Sequence, residues 1–312
     1  MMMSLRLALP MLFAAGAAYG GWQAAGADSA SAMAAVTTAA ASSTAAAVKT
    51  TDRPSPFRQA TAIGLSRDAV QGGVMLGDAP AGTVALSLDG APVPVAPDGK
   101  FLIAFNRDAP PTAKLIATLN DGRTIAQTLA VAPRGWRIEH VDLPRRATTT
   151  SAAFQARRGP ELAQINAARA LRSDAEGWRQ DFIWPVKGRI SGLFGSQRIY
   201  AGDPGSYHSG VDVAAPTGTP FVAPADGVVT LAAQDPFTLE GKLLMIDHGM
   251  GLSSAFLHCN SLSVAAGQRV RRGEPIGTVG MTGSATGPHL HWGMKWNAAR
   301  IDPLLLAGPM GL

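Results

Sequence analysis

The sequence is poor in several residue types, and each shortage excludes something. There is one cysteine, Cys259, in 312 residues. No intramolecular disulfide can form, and no cysteine-rich zinc site can be built. Aromatic residues make up 6% of the chain and charged residues 16%. Long charged helices are disfavoured, and the 35 glycines and 22 prolines suit short strands joined by many turns. The helical HExxH motif of many zinc proteases is absent, and only two glutamates, Glu240 and Glu274, follow Asp181. A glutamate general base is therefore hard to find. The formal net charge of +5 suits an anionic partner such as cell wall, membrane surface or nucleic acid without selecting one.

The chain opens with "MMMSLRLALPMLFAAGAAYGGWQAAGADSA": one early arginine, an apolar run, then small residues with an A-x-A pattern at Ala25–Ala27. Residues 1–27 read as a secretory signal peptide, and the apolar part is short and glycine-interrupted for an uncleaved anchor. No cysteine lies nearby to carry a lipid. Residues 28–56 are mostly Ala, Ser and Thr and offer no core to bury, so a tether is expected. Residues 57–143 carry β-rich runs punctuated by Asp89-Gly90, Asp98-Gly99 and Asp121-Gly122, a hairpin signature. They predict a small antiparallel β-sandwich with no cluster of reactive groups. His140 stands alone there and reads as a solvated or core-edge residue. Residues 144–180 predict a basic helical linker, opened by Pro160-Glu161, with Leu162, Ile165, Ala168 and Leu171 at helical spacing. From 181 to about 308 short β runs and glycines return, predicting a compact all-β domain. The fold class expected is mainly β.

Five of the six histidines fall in that last segment: His208, His248, His258, His289 and His291. In "SATGPHLHWGMKW" the pair His289 and His291 would share one strand face, with Leu290 and Trp292 on the other. Two such imidazoles can bind a metal together, or one can bind it while the other moves protons; two surface histidines are the plain alternative. In "YHSGVDVAAP" His208 and Asp212 are four apart, about 13 Å on a regular strand, so joint ligation demands a bend that Gly210 can supply. His208, Asp212 and one histidine of the pair make a three-ligand set with room for water. With the glutamates in turn-like sequence, unliganded histidines are the better acid–base candidates. His248 in "IDHGMG" reads as structural, and Cys259 as a buried free thiol if His258 faces a cleft. The glycines at 277, 280, 283 and 287 read as turns and close backbone approaches.

Over roughly residues 183–304 the segments "GRISGLFGSQR", "HSGVDVAAPTGTPFVAPADGVV", "GLSSAFLHCN" and "GQRVRRGEPIGTVGMTGSATGPHLHWGMKW" resemble the lysostaphin-type (LytM-like, M23) zinc peptidases of bacterial cell walls. The resemblance implies a compact antiparallel-β fold with a substrate groove across the zinc. It implies Zn²⁺ held by His208, Asp212 and His291, with His258 and His289 activating water and stabilising the oxyanion. Phe256 and Cys259 depart from the Tyr and Leu often seen around the family's catalytic histidine; neither is a ligand. The implied function is a secreted metalloendopeptidase, periplasmic, acting on peptidoglycan stem peptides and cross-links. No nucleic acid is implied, and the membrane is met only through the signal peptide. The alternatives are a non-catalytic regulator of cell-wall amidases, as in family members that have lost ligands, or a wall-binding module.

Overall fold

The computed structural model describes residues 62–144 and 151–311. The expected signal peptide and the Ala/Ser/Thr-rich stretch lie outside the described residues. The architecture is mainly β, and among the described residues no helix is long and apolar enough to cross a membrane.

The first half of the described chain is a two-sheet body. Gly64–Leu65, Val74–Asp78 and Lys100–Ala104 form one sheet. Ala69–Val70, Thr124–Ala132, Thr112–Leu119, Thr83–Leu88 and Ala91–Pro92 form the other. Strand alternation builds the core: along Thr112–Leu119, Ala113, Leu115, Ala117 and Leu119 point inward and join buried Leu86, Phe101 and Ile103. All three Asp-Gly pairs turn the chain as expected. At Asp89-Gly90 both residues have positive φ (49° and 82°) and Leu88 pairs with Ala91, the two-residue turn that matches strand twist. The sandwich is not wholly antiparallel, because Ala69–Val70 runs parallel to Thr124–Ala132.

The second half is built on an eight-stranded sheet. Its order is Arg189–Gly192, Gly210–Ala214, His289–Trp296, Leu252–Cys259, Gly241–Gly249, Gly227–Phe237 and Arg269–Val270, with Ala299–Ile301 also paired to His289–Trp296. Every neighbouring pair is antiparallel. One face buries Val211, Val213, Leu244, Ile246, Phe256, Leu290 and Trp292, each fully enclosed. Leu290 and Trp292 thus lie opposite the histidines, as the alternation requires.

The helix differs from expectation. It runs Ala152–Ala170, starting eight residues before Pro160, which lies inside it. Ser151 caps it, its hydroxyl accepting from the Phe154 N–H at 3.1 Å, and Ala and Arg residues that favour helix follow. Pro160 costs the bond to the Ala156 carbonyl, on an exposed turn open to solvent. The buried face is Glu161, Ile165 and Ala168, while Leu162 and Leu171 are exposed. Nor is this segment a solvated connector. Ile165 and Ala168 pack on Ala233, Phe237, Leu243 and Met245, on the sheet face opposite the main core.

Packing also crosses the expected boundaries at 143 and 181. Ile138–Val141 pairs in parallel with Gln197–Tyr200. Arg107, almost wholly enclosed, donates to the Gly195 carbonyl and to Gln197 Oε1, both at 3.0 Å. Trp178 is buried, and Ser173 donates through its N–H and hydroxyl to Asp247 Oδ2 at 2.7 Å.

Candidate metal centre and active site

Register brings the acidic and basic groups together. In the antiparallel pair Gly210–Ala214 with His289–Trp296, Asp212 lies directly opposite His291, and Ala214 opposite His289. Directly opposed residues share a face, so the Asp212 and His291 side chains meet. His208 precedes the strand, which begins only at Gly210. The chain bends there, and the distance expected on a regular strand collapses. His208 Nε2 stands 3.0 Å from Asp212 Oδ1 and 3.1 Å from His291 Nδ1, and His291 Nδ1 is 2.8 Å from Asp212 Oδ1. Among the described residues this is the cluster of His, Cys, Asp or Glu groups that can hold a metal ion.

The donor set fits a cation. His208 Nδ1 lies 3.1 Å from the Leu193 carbonyl and donates to it, which leaves a lone pair on Nε2 inside the cluster. Burial lowers the His291 pKa, with Asp212 opposing, which favours the neutral ring that a metal ion requires. Burial works against the Asp212 carboxylate, but a proton carried on His208 Nε2 or His291 Nδ1 in place of a metal ion bonds this oxygen, and these contacts outweigh burial and hold the group well below the usual carboxylate range. His208 is desolvated too, yet the Asp212 carboxylate raises its pKa above the ordinary value. Three electron-rich atoms facing one another demand a positive charge between them, and a shared proton or a metal ion can supply it. Glycine makes the approach possible: a Cβ on Gly192 would collide with Asp212 Oδ2.

Two more imidazoles flank the cluster. His289 Nε2 is 3.8 Å from Asp212 Oδ1, and the His289 ring centroid is 4.9 Å from that of His258. Both rings are anchored the same way. His289 Nδ1 donates to the Gly287 carbonyl at 2.8 Å, and His258 Nδ1 to the Thr282 carbonyl at 2.9 Å. Each anchored ring keeps its Nε2 lone pair free. Burial lowers the His258 pKa, with the Thr282 bond opposing. His258 also has φ +65°, a left-handed conformation rare outside glycine. Its N–H donates to the Glu240 carbonyl at 2.8 Å, which holds the residue in that bend.

The supports of His258 were not legible from motif spacing. Thr282, Glu240 and the helix form one chain of contacts. Arg158 on the helix donates two bonds to Glu240, at 2.6 and 2.7 Å, and one to Glu161 at 3.1 Å. Glu161 accepts from the Thr238 N–H and hydroxyl, both at 2.7 Å. The other two residues with named expectations sit as structural groups. His248 is fully buried, with its ring nitrogens satisfied by the Asp226 carbonyl and the Ser254 hydroxyl, both at 2.8 Å. Cys259 is fully buried, and burial pushes its thiol up to about 12.

Comparison with known proteins agrees with the fold. Residues 206–303 match the model of peptidase family M23. A solved peptidase M23 structure from Pseudomonas aeruginosa is 30% identical, with a TM-score of 0.61, covering 78% of this chain and 97% of that one. The chain belongs to peptidase family M23. It is 40% identical over 121 residues to the DD-carboxypeptidase/endopeptidase Mpg of Neisseria meningitidis, covering 39% of this chain and 27% of that protein. It is 35% identical over 130 residues to the peptidoglycan DD-endopeptidase ShyA of Vibrio cholerae, covering 41% of this chain and 30% of that protein. The match to these curated relatives thus spans under a third of their length.

Proposed function

We propose that this chain is a zinc metalloendopeptidase that hydrolyses peptide cross-links of bacterial peptidoglycan. The observation that carries the reading is the convergence of His208 Nε2, Asp212 Oδ1 and His291 Nδ1 beside two further imidazoles with anchored Nδ1–H groups. His208, Asp212 and His291 would hold the ion. Zinc, when bound, supplies a Lewis acid for the scissile carbonyl and lowers the pKa of a water. His258 and His289 do the proton work: one Nε2 takes a proton from the attacking water, and an imidazolium returns one to the departing amine. Whichever ring is protonated at that moment donates a hydrogen bond to the carbonyl oxygen as it gains negative charge. The bend at His258 aims its ring at the cluster rather than at the core.

A D-Ala–diaminopimelate cross-link is the bond to test first, by analogy with the DD-endopeptidases it resembles. Peptidoglycan lies outside the cytoplasm, so the reading assigns the protein to the periplasm after export, with residues 1–27 as the leader and 28–56 as a tether. Residues 57–143 carry no comparable set of reactive groups and serve as a spacing, targeting or occluding domain. The basic helical segment 144–180 packs on the peptidase sheet and belongs with 181–308, the peptidase domain.

The test is zinc content together with turnover of purified sacculi by the full-length protein. About one zinc per chain is expected, with soluble muropeptides released, release abolished by a chelator and restored by zinc. A metal-free, inert protein that stimulates an added amidase would instead establish the non-catalytic regulator.

A further inference from the structure

The groove beside the metal cluster carries a positive charge that no acid answers. A cavity of about 260 Å³ is lined by His291, Ser209 and Gly293 and also by Arg169, Lys295 and Arg300. Arg169 comes from the last turn of the long helix, Lys295 from the same strand as His291, and Arg300 from the strand paired with it. Lys295 and Arg300 are directly opposed in that antiparallel pair and share a face. Positions 291, 293 and 295 alternate onto one face, and the side chains of His291 and Lys295, with Gly293 between them, share the face of the metal cluster.

Among the described residues none of these three cations has a carboxylate within ion-pair distance. The acid that also lines the cavity, Glu240, is taken by Arg158. Like charges directly opposed across two strands cost stability rather than adding it. Burial, and then the charges of Arg169 and Arg300, lower the pKa of Lys295; burial, and then Arg300, lower that of Arg169, with Glu240 opposing. Arg300 is held partly by the ring of Tyr207, 5.5 Å from its guanidinium carbon. An arrangement that is unfavourable alone becomes favourable once an anion joins it.

Distance decides which anion. Lys295 is four strand positions from His291, about 13 Å at the usual rise. Three or four residues of extended peptide span that length. We infer that Arg169, Lys295 and Arg300 form a carboxylate subsite, which binds an acidic side group of a peptidoglycan stem peptide while the scissile bond lies at the metal cluster. The inference rests on the reading of peptidoglycan as substrate.

The experiment separates the two. Full-length protein is titrated calorimetrically with an uncross-linked stem tripeptide, L-Ala-γ-D-Glu-diaminopimelate, and with the same peptide carrying amides in place of its free carboxyls. The acid is expected to bind about tenfold more tightly than the amide, the worth of one charge-assisted contact. Lys295→Met and Arg300→Gln should each remove most of that preference without lowering the melting temperature, because each relieves a repulsion. Lys295→Arg, which keeps the charge, should keep the preference and controls for lost packing. Binding that is absent or equal for acid and amide in the wild type, or a preference that survives in both neutral variants, overturns the subsite. Cleavage of a cross-linked muropeptide is measured separately. Preference without cleavage leaves the subsite standing and refutes the hydrolase; cleavage without preference does the reverse.

Discussion

Replacing Arg158 by Gln tests whether the long helix helps to hold the acid–base machinery. The side chain of Arg158 is 14% exposed, and its partners Glu161 and Glu240 are 8% and 17% exposed. The shorter, neutral glutamine cannot make the paired contact with Glu240. Glu240 is then left without its cation, and Glu161 keeps only Arg157, at 3.8 Å. Breaking a buried pair from one side costs roughly 3–5 kcal/mol in full burial. Here Glu161 keeps both Thr238 bonds and Glu240 reaches solvent, so about 2–3 kcal/mol is the expected loss of stability. For a folded unit of this size that lowers the melting temperature by roughly 5–10 °C.

The more telling readout is catalytic. The Glu240 carbonyl accepts the N–H of His258, at a backbone conformation that its neighbours must enforce. Loosening Glu240 should let His258 relax from φ +65° and withdraw its ring. The cluster of His208, Asp212 and His291 depends on strand register, to which Arg158 contributes no hydrogen bond, so metal content should hold. Muropeptide turnover should fall at least about tenfold, at a temperature well below the melting transition, with metal stoichiometry unchanged. Destabilisation of the expected size with turnover equal to wild type would refute the coupling between helix and His258. An unchanged melting temperature would refute the premise that the network is desolvated.

Three further outcomes are expected. His291→Ala should lose both metal and activity, since two protein ligands remain; a variant that keeps stoichiometric zinc by atomic spectroscopy contradicts the ligand set. His258→Ala should keep zinc and lose roughly 10²- to 10⁴-fold in rate on a defined cross-linked muropeptide, and near-normal turnover would move the proton transfer to His289 alone. Burial lowers the His248 pKa from 6.5 to about 4. Between those values the unfolded chain binds the proton and the folded chain does not, so stability rises with pH there. The contribution is complete above about pH 6.5 and is lost as pH falls toward 4, on the order of 3 kcal/mol in total. Chemical denaturation across pH 4–7 should therefore be flatter in His248→Gln than in wild type, and an equal slope in both excludes His248 as the source.

What the sequence revealed and what it hid follow a physical division. Alternation is a local rule, so the opposed placement of Leu290 and Trp292 against His291 could be read directly, as could the three Asp-Gly turns. The bend that joins His208 to Asp212 could be required but not located, because whether the strand begins before or at Gly210 depends on the partner strand that opposes it. The helix start was misplaced because proline normally opens a helix, and the cost of an internal proline is small only where the freed carbonyl meets water. The sequence alone places Arg158 in a basic helical segment among other arginines. Its partner Glu240 lies 82 positions away, and nothing in spacing or composition pairs the two.

That hidden pairing changes the meaning of the helical segment. A connector needs reach and solubility, and its arginines need no partners. This helix instead buries Ile165 and Ala168 against the sheet face that carries the metal cluster, and aims one arginine at the loop under His258. It leaves another, Arg169, lining the groove. The sheet fixes His208, Asp212 and His291 through register, but the strand carrying His258 ends in a left-handed residue that register alone cannot hold. Ligand geometry is therefore a property of the paired strands, whereas the position of the flanking histidine, and one of the three groove cations, depend on a segment outside residues 206–303. Two members of this family with identical metal clusters can then differ in rate through the helix, and in substrate charge through Arg169 on the helix as well as through the strand positions 295 and 300.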